Sequence, residues 1–149
     1  MSQMRLILIA APSGGGKNSF MVRALEDFPQ LVDVITYTTR EMRFGEQQGN
    51  PYHFISQEDF QEKVQQNFFV EWAQVHDAQY GTSHQSLKEA WGRGQIAIMD
   101  IDVQGVRKLS KVYGDAVSFF ILPPSIEELK KRILAVSYTH LTLPTNGLV

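Results

Sequence analysis

A glycine-rich segment near the amino terminus has the composition of a phosphate-binding loop. It follows a short apolar run, residues 6–10, and reads Ala11, Pro12, Ser13, Gly14, Gly15, Gly16, Lys17, Asn18 and Ser19. Successive glycines let backbone N–H groups converge on phosphate oxygens, a following helix adds the dipole of its N-terminus, and Lys17 supplies a positive charge for the β- and γ-phosphates of a nucleotide. The segment therefore predicts a phosphate site, and a plain glycine turn with a solvated lysine is the alternative.

The segment departs from the usual phosphate-loop pattern at two positions. That pattern is Gly, any four residues, Gly-Lys and then Ser or Thr, so Gly16 and Lys17 match it while Ala11 and Asn18 do not. The hydroxyl after the lysine normally binds Mg²⁺, and the amide oxygen of Asn18 is a weaker ligand for such a hard cation. Ser19 is the next hydroxyl along the chain. The substitution therefore affects metal binding rather than phosphate binding.

Two arginines three residues apart lie in a polar segment further along the chain. Arg40 and Arg43 can converge on a single phosphate, because the planar guanidinium group binds phosphate oxygens through paired N–H donors. Tyr52 and Tyr80 can each add a phenolic donor to the same group. Taken singly, such arginines are more often surface charges and such tyrosines more often half-buried packing, so the prediction depends on their occurring together.

Two carboxylates lie at the end of a second apolar run, residues 96–102. In a parallel sheet the C-terminal ends of the strands meet at one edge, and ligands bind there. Asp100 and Asp102 are therefore expected near the phosphate loop, where carboxylates suit a Mg²⁺ shell and an acceptor nucleotide. The predicted Mg²⁺ ligands are Asn18, Ser19 and Asp100.

The elements that must position these residues begin with short strands. Near-continuous apolar runs at residues 5–10, 96–102 and 117–122 predict strands buried on both faces. Mixed runs at residues 32–37, 52–55 and 68–75 have strand composition as well.

Helices are expected between these strands. One follows the glycine-rich loop and is closed by Pro29. Two more start at capping boxes, in which a serine precedes an acidic residue by three positions: Ser56 with Asp59, and Ser125 with Glu128. These two run to about residues 66 and 134, and the Gly-Thr-Ser segment at residues 81–83 is predicted to turn the chain into a fourth helix that ends near residue 92.

This alternation predicts an α/β fold with a parallel sheet flanked by helices. The polar, mixed segment at about residues 35–83 is predicted to be an insertion into a core made of residues 1–34 and 84–136. Residues 137–149 contain no Asp, Glu, Lys or Arg, although they follow a strongly charged helix. We expect this tail not to be native to the gene.

Composition narrows the class of protein further. The 149 residues are 43% hydrophobic, with a net charge of −2 and no cysteine. One domain with a real core is expected, and neither nucleic acid nor an anionic membrane is expected as a partner. Without a cysteine there is no disulfide or thiolate metal site, and no apolar run approaches the roughly 20 residues of a membrane span. A cytoplasmic location is predicted, and the histidines at positions 53, 76, 84 and 140 lack metal-binding spacing.

Taken in order, five blocks of the sequence resemble guanylate kinases, from about residue 4 to residue 132. Besides the phosphate loop, they are the segment 36–46 with Tyr52, Glu71 among aromatic residues, the segment 80–83, and Asp-Ile-Asp-Val-Gln-Gly at 100–105. The resemblance implies a phosphate-loop nucleoside monophosphate kinase fold whose insertion binds GMP. It also implies transfer of a phosphoryl group from ATP, bound with Mg²⁺, to GMP.

The resemblance also assigns roles to residues. The implied ATP-binding residues are the whole loop, Ala11 to Ser19, and four side chains hold the GMP phosphate. Glu71 and Thr36, with Thr82 close by, read guanine, which presents N–H donors and one acceptor. The implied GMP-binding residues are Thr36, Arg40, Arg43, Glu46, Tyr52, Glu71, Tyr80, Thr82, Asp100 and Asp102. Those expected to act in catalysis are Lys17, Arg40, Arg43 and Asp100.

Some features depart from the family pattern. Met42 and Pro51 replace the usual Pro and Asp, and after Leu134 the sequence lacks the arginine-bearing lid and the adenine-contacting segment. We therefore expect this chain to bind GMP with weak or absent catalysis. The main alternative is a guanylate-kinase-like module that binds phosphopeptides; Asn18 favours it, whereas Lys17 and the glycines favour an enzyme. Another phosphate-loop nucleotide kinase is disfavoured by Glu71 and the arginine pair.

Overall fold

The computed structural model describes residues 4–12 and 16–137, which form alternating strands and helices. In chain order the elements are β1 (Leu6–Ala10), α1 (Lys17–Asp27), β2 (Leu31–Asp33), β3 (Thr36–Thr38), β4 (Tyr52–Phe54), α2 (Gln57–Gln65), β5 (Phe69–Val75), β6 (Ala78–Ser83), α3 (His84–Gly92), β7 (Ile96–Asp100), α4 (Val103–Val112), β8 (Val117–Phe120) and α5 (Ile126–Ser137). Within these described residues no helix is both long and apolar enough to cross a membrane.

The central sheet is parallel and has the strand order β2-β7-β1-β8. Strand β1 lies between β7 and β8, and Leu8 and Ile9 are fully buried because helices cover both faces. On one face Leu8 joins a core that includes Leu87 and Trp91 of α3. On the other face Ile9 packs in a cluster with Met21 of α1. The predicted parallel sheet flanked by helices is therefore confirmed.

A second sheet, of mixed direction, has the order β4-β3-β6-β5. Helix α2 packs against it through Phe60, whose ring stacks on Phe69 of β5 at a centroid distance of 4.6 Å. Gly81 of β6 packs closely on the ring of Phe69, because a Cβ atom added at Gly81 would lie only 2.8 Å from that ring. The predicted boundaries of the insertion, about residues 35–83, stay a prediction, and the predicted tail 137–149 lies outside the described residues except for Ser137.

The serine half of each predicted capping box is confirmed by the structure. The N–H of Asp59 donates to Ser56 Oγ at 3.0 Å at the start of α2, and the N–H of Glu128 donates to Ser125 Oγ at 3.1 Å before α5. These bonds join residues three apart, so they depend on local sequence alone.

Two predictions about strands were wrong because pairing is not local. The run 32–37 is not one strand. Its first part belongs to β2 of the central sheet, which ends at Asp33; the chain then crosses at Val34 and Ile35 and continues as β3 of the second sheet. Residues 81–83 are not a turn, since they end β6, where Gly81 lies opposite Trp72 of β5. Ser83 does begin the expected helix, as its hydroxyl accepts the N–H of Ser86 at 3.0 Å.

Two further corrections concern the central sheet. The run 117–122 was predicted to be buried, yet all four residues of β8 are exposed. This strand lies at the edge of the sheet beside β1, and none of its residues belongs to the two described clusters that cover the faces of the sheet. The run 96–102 ends as a strand at Asp100, and Asp102 instead caps α4, a helix that was not predicted.

Candidate active site

The junction of β1 and α1 forms one side of the candidate site. Gly16 is the N-cap residue of α1 and has a φ of +91°, in the left-handed region that glycine adopts without strain. Lys17 follows as the first helical residue, so its charge stands at the positive end of the helix dipole. Ala11 and Pro12 are partly buried at the end of β1, and the predicted loop residues Ser13, Gly14 and Gly15 lie outside the described residues.

Lys17 and Asp100, both predicted site residues, come together at this edge. Lys17 Nζ lies 3.5 Å from Asp100 Oδ2, and the two side chains are 30% and 43% exposed. The contact follows from the sheet: β1 and β7 are adjacent and parallel, with Ile9 opposite Asp100, so both strands end at the same level. A partly exposed ammonium group at a strand-to-helix junction is suited to meeting phosphate oxygens.

A further carboxylate, Asp33, was not singled out from the sequence. It is the last residue of β2 and lies opposite Ile98 of β7, two residues before Asp100. Desolvation, and then the negative charge of Asp100, raise the pKa of Asp33 to about 6. Its signal in the sequence was an aspartate at the end of an apolar strand, the same signal that pointed to Asp100.

The predicted Mg²⁺ ligands are only partly brought together. Asp100 offers carboxylate oxygens at the end of β7, and such oxygens suit a hard cation. Asn18 and Ser19 are exposed in the first turn of α1, where they line a shallow depression with Val22. Among the described residues there is no cluster of three or more His, Cys, Asp or Glu that could hold a metal by itself. The chemistry of the site therefore fits an ion that takes most of its ligands from phosphate and water.

On the second sheet, Arg40 lies against two tyrosines that were predicted to share its phosphate. The guanidinium carbon of Arg40 is 5.3 Å from the ring centroid of Tyr52, and the rings of Tyr52 and Tyr80 are 5.7 Å apart. Burial is the main cause that raises the pKa of the Tyr52 hydroxyl, so this group stays a neutral donor at physiological pH. Three of the four predicted phosphate-binding side chains are thus neighbours.

The carboxylate of Glu46 accepts hydrogen bonds from both predicted phosphate-binding arginines, Arg40 and Arg43. Its Oε1 accepts from Arg40 Nη2 at 2.8 Å, and its Oε2 accepts the backbone N–H of Arg43 at 2.8 Å. The hydrogen bond from Arg40 is the main cause that lowers the pKa of Glu46. The side chain of Arg43 is exposed. Glu46 was predicted to bind GMP, and in the structure its carboxylate orders the arginine loop.

The predicted guanine-reading residues lie on β5 and β6. Glu71 pairs with Thr82 across these strands, and both are buried, with 8% and 1% of their surfaces exposed. Burial raises the pKa of the Glu71 carboxyl; Lys108, which the sequence did not single out, opposes this shift, and Asp102 adds to it. Thr36 is partly buried at the start of β3.

Fold and site together define a class of protein. A parallel sheet whose first strand leads through a glycine-rich segment and a lysine into a helix is the architecture of phosphate-loop proteins. With the second sheet, it is the fold of the nucleoside monophosphate kinases. The family model for guanylate kinase matches residues 3–141, and the chain belongs to the guanylate kinase family.

Individual relatives agree with this assignment. The chain is 52% identical over 129 residues to a guanylate kinase from Bdellovibrio bacteriovorus. The matched region covers 87% of this chain and 70% of that protein. It is 45% identical over 128 residues to a guanylate kinase from Geobacter metallireducens, covering 86% of this chain and 63% of that one. A crystal structure of guanylate kinase from Anaplasma phagocytophilum superposes with a TM-score of 0.74 at 31% identity, over 91% of this chain and 71% of that chain.

These comparisons confirm the resemblance and the fold that were read from the sequence. They also show that the chain spans 63–70% of the length of these two curated relatives. The roles of single residues in the site stay predictions.

Proposed function

We propose that this protein transfers the terminal phosphoryl group of ATP to GMP, giving ADP and GDP. The observation that carries the proposal is the buried carboxylate of Glu71 opposite the buried Thr82. Guanine presents two N–H donors on one edge and a carbonyl acceptor beside them, so a fixed carboxylate and a small hydroxyl match it, whereas adenine lacks this pattern. Family membership supports the same activity.

The residues divide between donor and acceptor. Lys17 and the backbone of the glycine-rich loop would neutralise and hold the ATP phosphates, while Arg40, Tyr52 and Tyr80 would hold the phosphate of GMP, with Arg43 reaching it from the loop. An oxygen of the GMP phosphate attacks the γ-phosphorus of ATP, and the bond from that phosphorus to the bridging oxygen of ADP breaks. No group on the protein needs to become phosphorylated, because positioning and charge neutralisation supply the catalysis.

Mg²⁺ bound with ATP would supply positive charge at the transferred group, and Asp100, with the predicted ligands Asn18 and Ser19, would hold it. We further propose a cytoplasmic location, with GMP and ATP as the partners and no nucleic acid. The phosphopeptide-binding alternative is not favoured, because the relatives are named as guanylate kinases.

The test compares GMP, AMP and ATP binding by calorimetry for the wild-type chain and Glu71→Gln. The amide would present N–H groups to the guanine donors, so we expect GMP affinity to fall on the order of 10²-fold or more while ATP affinity is unchanged. Glu58→Gln removes the same charge from an exposed position on α2, outside the proposed site, and should change neither affinity. Equal losses of GMP and ATP binding would contradict the assignment.

A further inference from the structure

Two threonines, the last residue of β3 and the residue after it, precede Arg40, and both contact the backbone of the same residue on β6. Thr38 Oγ1 donates to the carbonyl of Gln79 at 2.9 Å, while Thr39 Oγ1 accepts the N–H of Gln79 at 2.9 Å. The backbone N–H of Thr39 also donates to the Gln79 carbonyl at 3.1 Å. Both hydroxyls therefore fasten the end of β3 to the neighbouring strand, across about forty residues of chain.

Thr38 makes one more contact, which Thr39 does not. Its hydroxyl also accepts the backbone N–H of Arg40 at 3.1 Å, and its side chain is fully buried, with 0% of its surface exposed. Strand β3 ends at Thr38, so the N–H of Arg40 has left the pairing of the sheet. A hydroxyl both donates and accepts, and a buried one of fixed orientation can satisfy two backbone groups at once.

We infer that Thr38 is a positioning residue for the acceptor phosphate, acting through the backbone of Arg40. The guanidinium end of Arg40 is held by Glu46 at 2.8 Å and lies over Tyr52, while its backbone end is held by Thr38. A long side chain anchored at both ends loses little freedom when it binds, and preorganised donors of this kind favour phosphate binding. The inference rests on the proposed function, since it takes the GMP phosphate to be the group that Arg40 meets.

The test uses GMP and guanosine, which differ only in the phosphate, and compares Thr38→Val with Thr39→Val. Each variant removes one hydroxyl bonded to Gln79, so they disturb the sheet in a similar way, but only Thr38→Val releases the backbone of Arg40. We expect Thr38→Val to reduce the ratio of GMP affinity to guanosine affinity about tenfold, the size of one lost hydrogen bond. Thr39→Val should leave this ratio unchanged, and Thr38→Ser, which keeps the hydroxyl, should restore it.

The outcomes separate this inference from the proposed function. If the wild-type chain binds GMP no more tightly than guanosine, the proposed phosphate site itself is wrong. If the wild-type chain prefers GMP but the two valine variants keep the same preference, the phosphate site stands and the role of Thr38 is overturned.

A second measurement needs no valine variant and covers the case in which Thr38→Val does not fold. Amide hydrogen exchange of the wild-type chain should show the Arg40 N–H protected relative to that of Glu41 in the exposed loop. In Thr38→Ser the protection should persist. An Arg40 amide that exchanges as fast as that of Glu41 would overturn the inference.

Discussion

Arg40 Nη2 lies 2.8 Å from Glu46 Oε1, with the two side chains only 16% and 18% exposed. The second oxygen of the same carboxylate accepts the backbone N–H of Arg43 at 2.8 Å. One acidic residue therefore orders both arginines that are proposed to meet the acceptor phosphate, before any ligand arrives. Such an arrangement lowers the cost of ordering the loop on binding.

The first prediction concerns the acid dependence of this contact. The pKa of Glu46 is lowered, mainly by the hydrogen bond from Arg40, so its stabilising effect is present above the ordinary carboxyl pKa and is lost as the pH falls through the lowered value. Glu46→Gln should therefore melt at a lower temperature than the wild type at neutral pH, and the difference should narrow below about pH 4. Thermal unfolding followed by circular dichroism measures it, with Glu41→Gln as the control that should not differ from wild type. A constant difference across this range would contradict the proposed pairing.

The second prediction concerns the forked geometry of Arg40. Arg40→Lys keeps the positive charge but loses the planar donors, so GMP affinity should fall about tenfold or more while guanosine affinity is unchanged. Isothermal titration calorimetry measures both. Arg23→Lys is a matched control, because Arg23 is exposed on α1 and pairs there with Asp27 at 2.8 Å. A similar loss for guanosine would show that Arg40 acts on the fold and not on the phosphate.

The third prediction is that the buried charge of Glu71 lowers the stability of the protein at neutral pH. Burial is the main cause that raises the pKa of the Glu71 carboxyl, so folding favours its protonated form. The stability that this carboxyl contributes is therefore complete below its ordinary pKa of 4.5 and is lost as the pH rises through the pKa of the folded state. Glu71→Gln removes the buried charge and should raise the melting temperature at neutral pH, with a smaller gain as the pH approaches 4.5. Thermal scans at a series of pH values test this. A variant less stable than wild type at neutral pH would mean that the carboxylate holds the fold together.

The fourth prediction concerns Lys17 as a donor-side residue. Lys17→Met removes the charge 3.5 Å from Asp100, so ATP affinity should fall about tenfold or more, while GMP affinity should stay near that of the wild type. Lys88→Met, at an exposed position of α3, serves as the control. Fluorescent-nucleotide competition gives both affinities. Unchanged ATP binding in Lys17→Met would mean that the lysine is only a solvated charge.

The fifth prediction tests the close packing of the second sheet. Gly81→Ala would place a Cβ atom 2.8 Å from the ring of Phe69, so it should destabilise the protein by about 1–3 kcal/mol. Gly92→Ala adds the same methyl group at the end of α3, where nothing lies within 4 Å, and should be neutral or slightly stabilising. Urea unfolding distinguishes the two variants. Equal stabilities would contradict the packing of Gly81 on Phe69.

Local features were predicted well because a few neighbouring residues determine them. Ser56 and Ser125 accept the expected hydrogen bonds at the starts of α2 and α5, since each bond spans three residues. The apolar run of β1 and the helix after Gly16 also occur where they were predicted. The family resemblance rested on ordered blocks of such local motifs, which is why it could be drawn before any contact was known.

The amino-acid sequence was enough to predict the alternation of strands and helices, the helix that begins at Lys17 after the glycine-rich segment, and the family. Tertiary structure alone decided that residues 32–37 divide between two sheets, that β8 is exposed at an edge, and that Asp33 stands beside Asp100. It also decided that Glu46 holds the arginines and that Thr38 meets the backbone of Gln79. The physical reason is that strand pairing and charge proximity join residues far apart in the chain, and no periodicity within a single segment encodes which distant partner each will meet.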